Sequence, residues 1–108
     1  MRTDVQARGF SLTPALRSSV EHEAQDYAER FRDVPTTVQV RLFDVNGRRG
    51  GLDKGCLVSA RIGRGRRVVV ATDLDSDLYR AIPAAFAKLD RGTRSILRRR
   101  QAGRRAER

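Results

Sequence analysis

The chain has 108 residues, 39% hydrophobic and 33% charged, which suits one domain with a modest core and a wet surface and excludes two. Lys and Arg number 23 against 13 Asp and Glu, a formal net charge of +10 that directs attention to polyanionic partners. One cysteine, Cys56, excludes an internal disulfide and a multi-cysteine zinc site, and no apolar run reaches membrane-spanning or signal-peptide character, so a cytoplasmic protein without a membrane partner is expected.

In chain order, Thr3 to Gly9 alternates Val5 and Ala7 against Asp4, Gln6 and Arg8, which predicts a short strand. Thr13-Pro14 supplies an N-cap and a first-turn proline, and Leu16, Val20, Tyr27 and Phe31 recur at helical spacing, giving a helix to about Arg32. Asp33-Val34-Pro35 breaks it. Thr37 to Val45 then reads as a half-buried strand, with Val38, Val40 and Leu42 on one face and Gln39 and Arg41 on the other. Asn46 to Gly51 is a loop by composition, after which Cys56, Val58, Ala60 and Ile62 alternate with Leu57, Ser59 and Arg61 in a third strand.

Gly63-Arg64-Gly65 makes a tight turn into a fourth strand, Arg66 to Thr72, carried by Val68 and Val70. Asp73 to Ser76 offers caps for a last helix. The order β-α-β-β-β-α predicts an α+β fold, a four-stranded sheet with both helices packed on its apolar face and the other face wet. Arg8, Arg41 and Arg61 fall on that open face. Residues 1–98 form the expected domain, and the Arg-rich segment 99–108 is expected to be a disordered tail. Pro83 removes a helical hydrogen bond, and Gly92 and Thr93 stand where an apolar residue would help, so a bend near Tyr79 and a weakened second half are predicted.

The charge is concentrated. Between Asp77 and Arg108 ten basic residues face three acids, which accounts for +7 of the +10. At about 100° per residue Arg80, Lys88, Arg91, Arg94 and Arg98 share one stripe of the last helix, opposite Leu78, Ile82, Phe86, Leu89 and Ile96. The pattern is that of a docked helix showing a cationic ridge. Arg, by far the commoner of the two bases here, suits phosphate through its planar two-pronged donor.

The loop Asn46-Gly47-Arg48-Arg49-Gly50-Gly51 is weighed separately. Asp44, Asn46 and Asp53 do not make a calcium loop, because the terminal bidentate Glu is missing and Arg48 and Arg49 repel a cation. A Walker-type Gly-Lys-Ser/Thr run is also missing, so no nucleotide cofactor is expected. A hairpin connection and an anion contact through Arg48, Arg49 and Lys54 both fit. For catalysis, His22 stands among Glu21, Glu23 and Asp26 as a surface residue, and Cys56 opens an apolar strand face as a structural thiol. No metal site, cofactor, small-molecule substrate or enzymatic activity is expected.

Thr13-Pro14-Ala15-Leu16-Arg17 after a short strand, the three-strand meander, and Asp77-Leu78-Tyr79-Arg80-Ala81-Ile82 followed by Lys88-Leu89-Asp90-Arg91 together resemble the ribosome hibernation-promoting factor and ribosome-associated inhibitor family, also called sigma-54 modulation proteins. The resemblance covers about residues 3 to 98, and the Asp-Leu-Tyr-x-Ala-Ile segment with its Lys-Leu is its most specific part. Asp44 to Cys56 resembles a short subgroup, without the long form's C-terminal dimerisation domain.

The resemblance implies the small ribosomal subunit and its rRNA as partners, with the protein occupying the channel of mRNA and tRNA and stopping translation. By position it implies rRNA contacts at Arg17 on the first helix and at Arg80, Lys88, Arg91, Arg94 and Arg98 on the second. Arg8, Arg41, Arg48, Arg49, Lys54 and Arg61 are further candidates. The first helix carries Glu21, Glu23, Asp26 and Glu29, so binding is expected to lean on the second helix and the tail. Two other classes of function fit the same residues: a general RNA-binding module, and a protein-interaction adaptor using the open sheet face or a strand edge.

Overall fold

The computed structural model describes residues 2–32, 34, 36–45, 53–63 and 67–106, with backbone alone from residue 100. Its elements run β1 (Arg2–Arg8), α1 (Pro14–Arg30), β2 (Thr36–Asp44), β3 (Lys54–Ile62), β4 (Arg67–Asp75) and α2 (Leu78–Ala106). The strands lie in the order β1-β2-β3-β4, with β1 parallel to β2 and the other pairs antiparallel. The α+β arrangement expected from the sequence is the one observed, since two short antiparallel connections and one helical crossover are what those spacings permit.

Each boundary has a local cause. Thr13 caps α1, its Oγ1 accepting from the Leu16 amide at 3.1 Å, and Pro14 opens the helix where no amide is needed. Gly9, at φ 90°, turns the chain out of β1, and Gly63, at φ 72°, turns it out of β3. The cap of α2 is Asp77, one residue beyond the candidates Asp73 to Ser76. Its carboxylate accepts from the Tyr79 amide at 2.9 Å, and its carbonyl accepts from Ala81 at 3.1 Å. The shift follows from β4 running through Asp75, three residues past the expected end.

The core lies between the sheet's inner face and the helices. Val38, Val40 and Leu42 of β2 and Cys56, Val58, Ala60 and Ile62 of β3 meet Leu16, Val20, Ala24 and Tyr27 of α1 and Leu78, Ile82, Phe86 and Leu89 of α2. The contribution of β4 differs from expectation. Val69 and Ala71 face inward, while Val68 and Val70 are 52% and 59% exposed on the open face. Three consecutive valines carry no alternation, so the sequence pattern has no parity to read there.

α2 stays helical through Pro83, Gly92 and Thr93, with no break at any of them. A Cβ on Gly92 would stand 2.6 Å from Val69 Cγ1, so the glycine is the notch that lets helix and strand close. Thr93 is fully buried and donates to the Leu89 carbonyl at 2.9 Å, which leaves the Tyr27 hydroxyl as the donor in their 2.8 Å hydrogen bond. Burial raises the Tyr27 pKa, the Thr93 bond opposes that shift, and Asp90 adds to it. The helix backbone continues through Ala106, taking in most of the segment that the composition reads as a tail. No helix among the described residues is long and apolar enough to cross a membrane.

Two measurements check the core. Leu89→Ala, at a fully buried position, is expected to lower stability by about 2–5 kcal/mol in urea unfolding. Burial, with Asp73 adding, pushes the Cys56 thiol up to about 12. Stability from the neutral thiol is therefore complete below the unfolded-state pKa and is lost as pH rises from there toward 12. Iodoacetamide at pH 8 should leave the native thiol unmodified over the time in which it alkylates the denatured chain.

Candidate nucleic-acid interface

α2 buries its apolar stripe against β3 and β4, and the opposite stripe is thereby turned to solvent. On it Arg80, Lys88, Arg91, Arg94 and Arg98 are all exposed. Arg80 to Arg98 spans about 27 Å at 1.5 Å per residue. The structure brings these five side chains onto one ridge, as their spacing predicts.

Their electrostatic states differ. Arg80 Nε lies 3.2 Å from Asp75 Oδ1, and its guanidinium donates to Ser76 Oγ at 3.2 Å. The backbone amide of Asp77, foremost, and Arg80 beside it hold the Asp75 carboxyl below the usual carboxylate range. Lys88 Nζ donates to the Thr72 carbonyl at 2.9 Å and to Asp73 Oδ1 at 3.0 Å. β4 is an edge strand, and a lysine on an edge carbonyl obstructs pairing with another chain. Lys88 thus straps β4 as well as charging the ridge.

Arg94 and Arg30 share Asp90, at 3.3 Å and 3.5 Å, which ties α1 to α2. Among the described residues Arg17, Arg91 and Arg98 make no ion pair. An exposed ion pair is worth about 0–1 kcal/mol, so an incoming phosphate can recruit the paired cations at small cost. Arg91 and Arg98 need no such exchange. They are the positions at which an anion meets the least competition.

The further candidates separate. Arg8, Arg41 and Arg61 lie exposed on the open sheet face, on the far side of the sheet from α2. Lys54 is only 31% exposed and is held at 3.7 Å from Asp44 and 3.5 Å from Asp53, which reduces its freedom to meet an outside anion. Arg48 and Arg49, with the rest of the Gly-rich loop, lie outside the described residues. On α1, His22 and Asp26 pair at 3.7 Å on an exposed face, with Glu21 and Glu29 also exposed, so the acidic helix stands beside the basic one. Among the described residues no cluster of three or more His, Cys, Asp or Glu is placed to hold a metal ion.

Sequence reasoning missed the pairing state of the ridge. Asp90 sits four residues before Arg94, a spacing that signals a helical pair. The partners Asp73 and Asp75 become visible only once β4 is known to extend beneath α2.

The family described as "Sigma 54 modulation protein / S30EA ribosomal protein" matches residues 3–101. No curated protein matches the chain. The N-terminal domain of Thermus thermophilus Protein Y is 24% identical, covering 83% of this chain and 92% of its own, with a TM-score of 0.68. A ribosomal subunit interface protein from Coxiella burnetii is 15% identical, covering 90% and 99%, with a TM-score of 0.72. At these identities the two likenesses establish the fold.

Asp90→Asn removes the one carboxylate shared by Arg30 and Arg94. It should raise affinity for a heparin fragment about two- to fivefold at low salt, the size of one exposed ion pair, as read by fluorescence anisotropy. Unchanged affinity would mean that Arg94 takes no part in anion binding.

Proposed function

The chain belongs to the sigma 54 modulation protein / S30EA ribosomal protein family, and from that premise we propose that it is a ribosome-associated translation inhibitor that binds rRNA of the small subunit. The observation that carries this reading is the exposed ridge of α2, on which Asp90 is the only acid within the helix. Such a surface attracts a phosphate backbone, and its affinity falls steeply with salt because bound counterions are released.

Arg91 and Arg98 are the primary phosphate contacts. Arg94, Arg80 and Lys88 join by exchanging their internal partners, and Arg17 contributes from α1. The acidic face of α1 turns away from rRNA. Inhibition is steric: the domain occupies the channel used by mRNA and tRNA, so idle subunits are kept out of initiation. No bond is made or broken, and no cofactor, metal or small-molecule substrate takes part. The protein works in the cytoplasm, as a hibernation factor.

Two properties of the fold support a role as a rigid wedge. The sheet and helices form a thin layered body held by one core, so binding needs no folding step. The 29 residues of α2 run about 43 Å, whereas a nine-residue strand covers about 30 Å, so the helix overhangs the sheet. That overhang starts beyond Leu97, the last described residue packed on the core, and carries the arginine run into its partner.

Replacing Arg91, Arg94 and Arg98 together with Ala should lower small-subunit affinity by one to two orders of magnitude and flatten the logarithmic salt slope by about 0.7–0.9 for each phosphate left without its arginine. The circular dichroism spectrum should not change, since none of the three is buried. Full-strength binding by this variant, with wild-type inhibition of a cell-free translation reaction, would refute the ridge as the interface.

A further inference from the structure

We propose that the open face of the sheet carries a second nucleic-acid site, which takes one unstacked base of a single-stranded RNA on Phe43 and its flanking phosphates on Arg8 and Arg41. The site faces away from α2 and does not depend on the ribosomal reading. It consists of a row that crosses the sheet in register, Arg8 beside Phe43, Phe43 beside Gly55, and Gly55 beside Leu74.

The row is built around a missing side chain. A Cβ on Gly55 would overlap the tip of the Phe43 ring, at Cζ, Cε2 and Cε1. The ring therefore lies across the β3 backbone, with one side against Gly55 and the other toward solvent. Gly55 is an ordinary strand residue without a positive φ, so backbone geometry does not call for glycine there. What calls for it is the ring. Leu57 and the exposed Leu74 extend the apolar surface on either side.

A concavity of about 380 Å³ opens beside the ring, lined by Arg8, Gly9, Arg41, Phe43, Val45 and Leu57, with Asp44, whose strand parity belongs to the inner face, also reaching its wall. Its two arginines are exposed and, among the described residues, have no ion-pair partner. Arg2 and Arg61 lie on the same face, and Asp4 is the one acid whose side chain shares it among the described strand residues. A flat aromatic and aliphatic platform with unpaired guanidinium groups at its rim matches a base with its phosphates. Stacking is available to an unpaired base and not to one inside a duplex. An acidic peptide would use the arginines and leave the platform idle. A second copy of this chain would bring arginines against arginines.

The test is binding of a fluorescent ten-nucleotide single strand, and of the same sequence as a duplex, to the full chain. Phe43→Leu keeps an apolar group over Gly55, and Arg8→Ala with Arg41→Ala removes only exposed side chains; thermal unfolding verifies that each variant folds. Phe43→Leu should weaken single-strand binding about tenfold and leave duplex binding unchanged, since one stacked base supplies about that factor. The double arginine variant should weaken both the affinity and its salt dependence. Wild-type single-strand binding by folded Phe43→Leu overturns the proposal. So does abolition of single-strand binding by Arg91→Ala with Arg98→Ala alone, which would put the strand on α2. Equal competition by a poly-glutamate peptide would assign the face to a protein partner, and also overturns it.

Discussion

The rotation of α2 about its own axis decides which surface this protein offers. Leu78, Ile82, Phe86 and Leu89 fix that rotation by burial against the sheet. Full burial of one such side chain is worth about 1.5–3 kcal/mol, so the four together outweigh any exposed ion pair on the same helix. Two closer constraints refine the fit. Gly92 admits Val69, and the Thr93 hydroxyl joins α2 to Tyr27 of α1. A turn of the helix by one residue would press Asp90 and Arg94, or in the other sense Lys88, toward the core and strand the Tyr27 hydroxyl, both costly. The outward cationic ridge thus follows from the inward packing.

The same packing divides the basic residues into two groups. Arg80, Lys88 and Arg94 lie where acids of β4 and α2 reach them, and part of their charge is neutralised inside the molecule. Arg91, between Lys88 and Arg94, and Arg98, beyond Arg94, keep theirs. On the other side of the sheet Arg8, Arg41 and Arg61 stand clear of the helices altogether. The domain is therefore cationic on two opposed faces, with the acidic side of α1 marking the region least suited to a phosphate backbone.

Much of this was legible in the sequence, and the failures have physical causes. β2 and β3 alternate cleanly because one side is core and the other solvent, and the Thr13-Pro14 start is a local signal that needs no tertiary context. β4 misled because Val68, Val69 and Val70 are equivalent in composition; its parity is set by Val69 meeting Gly92, a contact between residues 23 positions apart. Gly92 and Thr93 read as helix weaknesses for the same reason, since their partners Val69 and Tyr27 are remote in the chain. The ridge itself was visible as a stripe. Its ion pairs with Asp73 and Asp75 were not, because they depend on how far β4 extends. Phe43 and Gly55 gave no sign of belonging together until the strand register aligned them.

In the proposed role, the α2 ridge supplies a charge-driven fit to the small subunit and not a general affinity for RNA. Co-sedimentation of the purified protein with small subunits, large subunits and naked rRNA over a salt series tests it most directly. Stoichiometric pelleting with small subunits is expected, falling steeply as salt rises and displaced by mRNA with initiator tRNA. Equal binding to naked rRNA and both subunits, or small-subunit binding indifferent to salt, would contradict it.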